Sequence, residues 1–132
     1  MGLQNASILS GATITPSGGT AQNFVPDGVE VKNGIHLVDS SVTDFRTRPS
    51  LTAKTNQPTT LPDGSFSKDK RVITYAEPFI DSKGVVQYDY VQIVRRVHPE
   101  SPAAKASGLL TKAAQLAVDA DFSNFWALGS LA

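Results

Sequence analysis

Through the middle of the chain, apolar and polar residues alternate with a period of two, and near its end the period becomes helical. From Ser50 to Gln57, Leu51, Ala53 and Thr55 point one way, and Thr52, Lys54 and Asn56 the other. Pro58 cannot donate to a ladder and should end that strand. From Lys70 to Glu77, Arg71, Ile73, Tyr75 and Glu77 share one face and Lys70, Val72, Thr74 and Ala76 the opposite one. A third run, Gln87–Val97, sets Asp89, Val91, Ile93, Arg95 and Val97 against Tyr88, Tyr90, Gln92, Val94 and Arg96. Turn chemistry separates the runs: residues 58–67 with Asp63-Gly64 at their tip, and a loop from Pro78 to Gly84. Connections this short imply an antiparallel meander, because parallel strands need long crossovers.

Upstream, the β-prone stretch Ala6–Thr15, the turn Pro16–Gly19 and a return strand Thr20–Val25 predict an N-terminal hairpin within residues 1–28. Val29–Lys32 and Ile35–Val38 flank Asn33-Gly34, a preferred tight-hairpin dipeptide. The sheet is therefore expected over residues 29–97. Helical spacing takes over after Ser101, which suits an N-cap, and Pro102, which suits the first helical position. Ala103, Ala106, Leu109, Leu110, Ala113, Leu116 and Ala117 form the apolar stripe, while Lys105, Lys112 and Gln115 fall mostly on the other side. Asp119 and Asp121 break the run and can cap a second short helix bearing Phe122, Phe125, Trp126 and Leu128. The first helix alone would be marginal in water, so it must dock. The prediction is one α+β domain over residues 1–132: a hairpin, a single antiparallel meander sheet, and two C-terminal helices over 101–132.

Composition narrows the function. At 132 residues the chain suits one domain, and 40% apolar with 18% charged residues is lean enough to leave room for a core completed by a partner. Formal net charge is zero, but its distribution is uneven. Residues 1–45 hold one lysine against four carboxylates, residues 46–96 nine basic against five acidic groups, and residues 97–132 two against three. Positive charge thus gathers on the central strands. With no cysteine, disulfides, thiolate metal sites and cysteine nucleophiles are excluded. His36 and His98 have no metal-binding spacing, no serine lies in G-x-S-x-G, and Gly18-Gly19 is not followed by a phosphate-loop Lys-Ser or Lys-Thr. No catalytic residue, metal or cofactor is expected. No apolar run has a membrane helix's length and no leader is recognised, so a chain made in the cytoplasm is expected.

If the more apolar set of each strand lies under helices, the remaining face carries Thr, Lys, Asn, Tyr, Gln and Arg. Basic residues supply phosphate contacts and tyrosines stack on unpaired bases. The same composition also suits the wet side of a half-buried sheet.

Three segments decide the weight between these readings. Leu51-Thr-Ala-Lys-Thr-Asn-Gln-Pro58, Lys68-Asp-Lys-Arg-Val-Ile-Thr-Tyr-Ala-Glu-Pro78 and Tyr88-Asp-Tyr90 resemble successive strands of the coat proteins of single-stranded RNA bacteriophages, the levivirus type. The resemblance spans nearly the whole chain. It implies a capsid subunit that forms interlocked homodimers, each subunit's helices lying across the partner's sheet. Dimers of this kind build an icosahedral, T=3 shell around single-stranded RNA and bind an operator hairpin as a translational repressor. Carried over by position, Thr52, Lys54, Asn56, Lys70, Val72, Thr74, Tyr88 and Tyr90 would line the RNA face, with Tyr88 stacking on a base. Val72 and Thr74 stand where a more polar or basic pair is common, and Tyr90 where Asn or Asp is usual. The loop Phe79–Gly84 would lie at the shell's symmetry axes, and its Gly84 suits a segment that changes conformation there. The implied location is the virion, after synthesis in a bacterial host's cytoplasm, with no membrane partner. The alternative is a non-viral dimeric single-sheet RNA-binding or interaction module, with a hydrolase a distant third.

Overall fold

The computed structural model describes residues 3–131; Met1, Gly2 and Ala132, the ends of the expected domain, lie outside the described residues. The chain divides into two compact units, one of residues 19–99 and one built from both chain ends.

The first unit is a five-stranded antiparallel sheet in sequence order, β1 (Val25–Pro26), β2 (Gly34–Val38), β3 (Ser50–Asn56), β4 (Asp69–Ile80) and β5 (Val86–Val97). The meander predicted from alternation is present. β3 ends one residue before Gln57, ahead of Pro58 as expected. β4 is longer than predicted: it runs through Pro78 to Ile80, where the sequence suggests a loop. Ladder pairing with β3 stops at Ser50↔Ala76, so Pro78 lies on a free edge where its missing N–H costs no bond to β3. The β4–β5 connection shrinks accordingly to residues 81–85. Asp81 Oδ1 accepts from the Lys83 and Val85 N–H groups at 2.9 and 3.0 Å, and Gly84 takes the left-handed φ of 78° the turn requires.

Asn33-Gly34 does not join two paired strands. Residues 29–32 form no strand, and β2 instead pairs with β1 and β3. Asn33 sits at φ 58° and its carbonyl accepts from Thr55 N–H at 2.9 Å, so the dipeptide turns the chain into β2. A Cβ on Gly34 would meet the Ala53 carbonyl oxygen, which is why only glycine fits there.

The second unit contains α1 (Ala103–Val118), a 3-10 turn over Ala120–Phe122 and α2 (Ser123–Leu128), together with the N-terminal segment. Two expectations fail here. The N-terminal hairpin is absent: residues 6–15 form no strand, and of the expected return strand only Val25 is paired, through the short β1. Ser101 does not cap α1. Pro102, at ψ 142°, is the capping residue, and its carbonyl accepts from Lys105 and Ala106 N–H. The break between the helices is as predicted. Asp119 leaves helical conformation at ψ 143°, and its carboxylate accepts from Asp121 N–H at 2.9 Å. α2 closes on Gly129 at φ 68°, whose N–H reaches the Asn124 and Phe125 carbonyls.

Among the described residues Ala76 is the only buried hydrophobic side chain. On the sheet face opposite Lys54, Val91 is 63% and Ile93 48% exposed; on the helices Leu110 is 46% and Trp126 63% exposed. Both units thus carry large, exposed apolar side chains.

Candidate nucleic-acid interface

Directly opposed residues in an antiparallel ladder lie on the same face, so the registers place each candidate side chain. Thr52 pairs with Thr74 and Thr74 with Gln92; Lys54 pairs with Val72 and Val72 with Val94. Asn56 pairs with Lys70 and Lys70 with Arg96. Two rows further along, Ala76 pairs with Tyr90 and Pro78 with Tyr88. All eight residues singled out by alternation and resemblance thus fall on one face.

Six of the eight share one open depression of about 640 Å³: Thr52, Lys54, Asn56, Lys70, Val72 and Thr74. The structure adds Lys32, Asn33 and Gln92 to its wall. Gln92 belongs to the same alternating series as Tyr88 and Tyr90, so its position is legible from the sequence. Lys32 and Asn33 are not, because they arrive through the turn into β2 and not along a strand. Gln92 Nε2 donates to Thr74 Oγ1 at 3.1 Å, tying β5 to β4 across the floor. The lining carries three lysines and no carboxylate. Such a surface attracts polyanions, and its Thr, Asn and Gln groups can hydrogen-bond sugars and base edges.

Tyr88 and Tyr90 lie outside this depression. Their rings stack on each other with centroids 6.1 Å apart and planes at 26°, and both are more than half exposed. Tyr90 holds one side of Tyr88, leaving the second tyrosine as a support for the first. The opposite face of the sheet is different in kind. A depression of about 480 Å³ there is lined by Ile35, Ala53 and Ile73 among others. On that face Phe24 meets Tyr75 edge-on at 6.2 Å, and Tyr75 Oη donates to Glu77 at 2.7 Å, which raises the phenol's pKa above its ordinary value. This sheet therefore has one basic, hydrogen-bonding face and one face richer in large apolar side chains. Among the described residues no group of three or more His, Asp or Glu side chains could hold a metal ion, and no helix is long and apolar enough to cross a membrane.

No family profile and no curated protein matches the chain. Among solved structures, one described as the virus-like particle of bacteriophage GQ-907 superposes with a TM-score of 0.93. It is 34% identical and the match covers 98% of this chain and 99% of that one. A five-stranded meander followed by two helices, with 34% identity over essentially the full length of a phage particle subunit, establishes that this chain belongs to the coat proteins of the single-stranded RNA bacteriophages.

Proposed function

We propose that the chain forms an interlocked homodimer that assembles into an icosahedral, T=3 shell around single-stranded RNA, and that one dimer binds an operator hairpin to repress translation. A capsid role follows from the family. The observation that carries the rest is the division of exposed surface. A chain of this length normally encloses a core, yet among the described residues only Ala76 is a buried apolar side chain. Fully burying each large apolar side chain contributes roughly 1.5–3 kcal/mol, so a partner's helices laid over the apolar sheet face would stabilise both copies. In that arrangement residues 1–132 act as one domain, and the dimer is the folding unit.

Covering the apolar face leaves the lysine-lined face for the shell's interior. Lys54 and Lys70 then meet phosphates, Thr52, Asn56 and Thr74 supply polar contacts, and Tyr88 stacks on an unpaired base with Tyr90 behind it. Val72 provides an apolar floor against which a base can lie. The turn at residues 81–85 is the part we assign to contacts between dimers. Affinity for a short RNA hairpin, measured against salt for the parent, Lys54→Ala and Tyr88→Ala, tests the face. Unchanged affinity in both variants would remove it from the reading.

A further inference from the structure

A second depression, of about 360 Å³, opens on the same sheet beside Tyr88 and is bordered by the loop between β2 and β3. Its wall includes Phe45, Arg46 and Arg48 from that loop, His36 from β2, and Asp27. None of these residues belongs to the lysine-lined depression. We propose that it is a nucleotide subsite, in which an unpaired base lies against Phe45 and Tyr88 and its phosphate meets Arg48. The proposal rests on the reading of this sheet face as the RNA face and extends it to a loop that neither alternation nor the family resemblance points to.

Phe45 is 79% exposed, yet the loop that carries it is tightly built. Asp39 N–H donates to the Pro49 carbonyl at 3.0 Å and closes the loop's base. The Asp39 carboxylate, only 6% exposed, accepts from Ser41 N–H and Oγ and from Gln22 Nε2. At the tip, Asp44 accepts from Arg46 Nε and Nη2 at 3.2 and 3.1 Å and from Arg46 N–H, and its carbonyl accepts from Thr47 N–H. A loop ordered by so many bonds presents its exposed aromatic residue on a fixed backbone, which lowers the ordering cost of binding a partner.

The charges favour a nucleotide over an apolar peptide. Asp27 is hydrogen-bonded to His36 Nδ1 at 2.8 Å and Asp44 is paired with Arg46, so both carboxylates already have partners. Arg48 gives its Nε to the Val42 carbonyl at 2.7 Å, and its charge also acts on Asp39, which is already bonded to Ser41 and Gln22, while its terminal nitrogens make no hydrogen bond among the described residues. A fixed guanidinium beside two exposed aromatic rings suits a phosphate with its attached base.

The test uses the full-length protein and a 12-nucleotide oligouridylate carrying 4-thiouridine, in two measurements. Photo-crosslinking with peptide mass spectrometry should place uridine on the peptide containing Phe45 or on Tyr88. Fluorescence anisotropy should show Phe45→Ala and Phe45→Leu weakening binding about 5- to 150-fold with little change in salt slope, and Phe45→Trp retaining it. Arg48→Gln should lower the slope of log affinity against log salt by about one. If the Phe45 variants bind like the parent while Lys54→Ala and Lys70→Ala are weakened, the subsite is wrong and the RNA face stands. If Phe45→Ala leaves affinity unchanged but lowers particle yield, Phe45 is a protein contact and the subsite is equally overturned. If no variant on either depression changes affinity, both readings fall.

Discussion

The side-chain amide of Gln115 is bonded to both backbone groups of Leu9. Its Oε1 accepts from Leu9 N–H at 2.6 Å and its Nε2 donates to the Leu9 carbonyl at 2.8 Å. The pair lies 106 residues apart in sequence. Gln115 is 7% exposed, and it occupies the helix side that spacing alone marks as polar. The amide supplies one donor and one acceptor, the same pair that a neighbouring strand would offer, and so replaces a ladder partner for the N-terminal segment.

Gln115→Ala should therefore destabilise the fold by about 1–3 kcal/mol, the cost of leaving buried polar groups unpaired. Gln115→Glu keeps the acceptor but sets a carboxylate oxygen against the Leu9 carbonyl, and should destabilise at least as much as the alanine. Denaturant melts of the purified protein would show it. A Gln115→Ala variant as stable as the parent would mean that the N-terminal segment is held by other contacts.

Trp126 tests the shared core. Within one chain its ring is 63% exposed, touching Phe125 edge-on at 5.1 Å, while Nε1–H donates to the Leu116 carbonyl at 2.9 Å. If a second copy covers the ring fully, Trp126→Ala should cost about 3–5 kcal/mol, and deletion of residues 119–132 should abolish soluble dimer. A loss below about 1 kcal/mol would match a ring that stays in water and would contradict the interlocked arrangement.

The turn after β4 should matter to the shell and not to the fold. Asp81 also accepts from Gln87 Nε2 at 3.1 Å, so the turn is a braced unit despite its glycine. Gly84→Val forces a branched side chain into a left-handed conformation and should cost about 1–2 kcal/mol locally. Particle size or yield, read by light scattering, should change while dimers remain folded. Variants that assemble and melt like the parent would remove this turn from any inter-dimer contact.

Acid should loosen the sheet unit. Asp27 is held below the ordinary carboxylate range chiefly by its bond to His36, Asp39 by Ser41 and then Gln22, and Asp81 by Val85 N–H and then Gln87. A folded pKa lower than the unfolded one adds stability above the unfolded value, and that stability is lost as pH falls through the folded pKa. Stability should thus be level at neutral pH and decline below about pH 4, the unfolded aspartate range. Asp39→Asn should flatten part of that decline in pH-dependent melts. An unchanged acid profile in Asp39→Asn would show that the buried carboxylate does not carry it.

Tyr88 and Lys54 should weaken hairpin binding in different ways. Loss of a base stack costs roughly 1–3 kcal/mol and is nearly insensitive to salt. Loss of a phosphate contact should reduce the salt slope by about one. A salt titration separates the two. A Tyr88→Ala protein that unfolds would place the ring in the core instead.

Much of this architecture is legible in the chain because two-residue alternation reports directly on which face a side chain takes. β3, β5 and the common face of Thr52, Lys54 and Lys70 all follow from it, and the helix break at Asp119 follows from the end of the helical spacing. What is not legible depends on distant partners. The first strand of the expected hairpin, Ala6–Thr15, is absent where Gln115 binds the backbone at Leu9. β4 passes through Pro78 because β3 has already ended, a fact of register that no local signal carries. Phe45 escapes notice because its loop has no periodicity, and only its hydrogen bonds show that it is held in place.

The central claim is that this basic sheet face lines an RNA-filled shell. Expression of the chain alone in bacteria, nuclease treatment and cryo-electron microscopy of the purified product test it most directly. The account predicts closed particles containing protected RNA, with Lys54 and Lys70 facing inward. Recovery of nucleic-acid-free dimers alone across a range of salt and concentration, or of shells with that face turned outward, would contradict it.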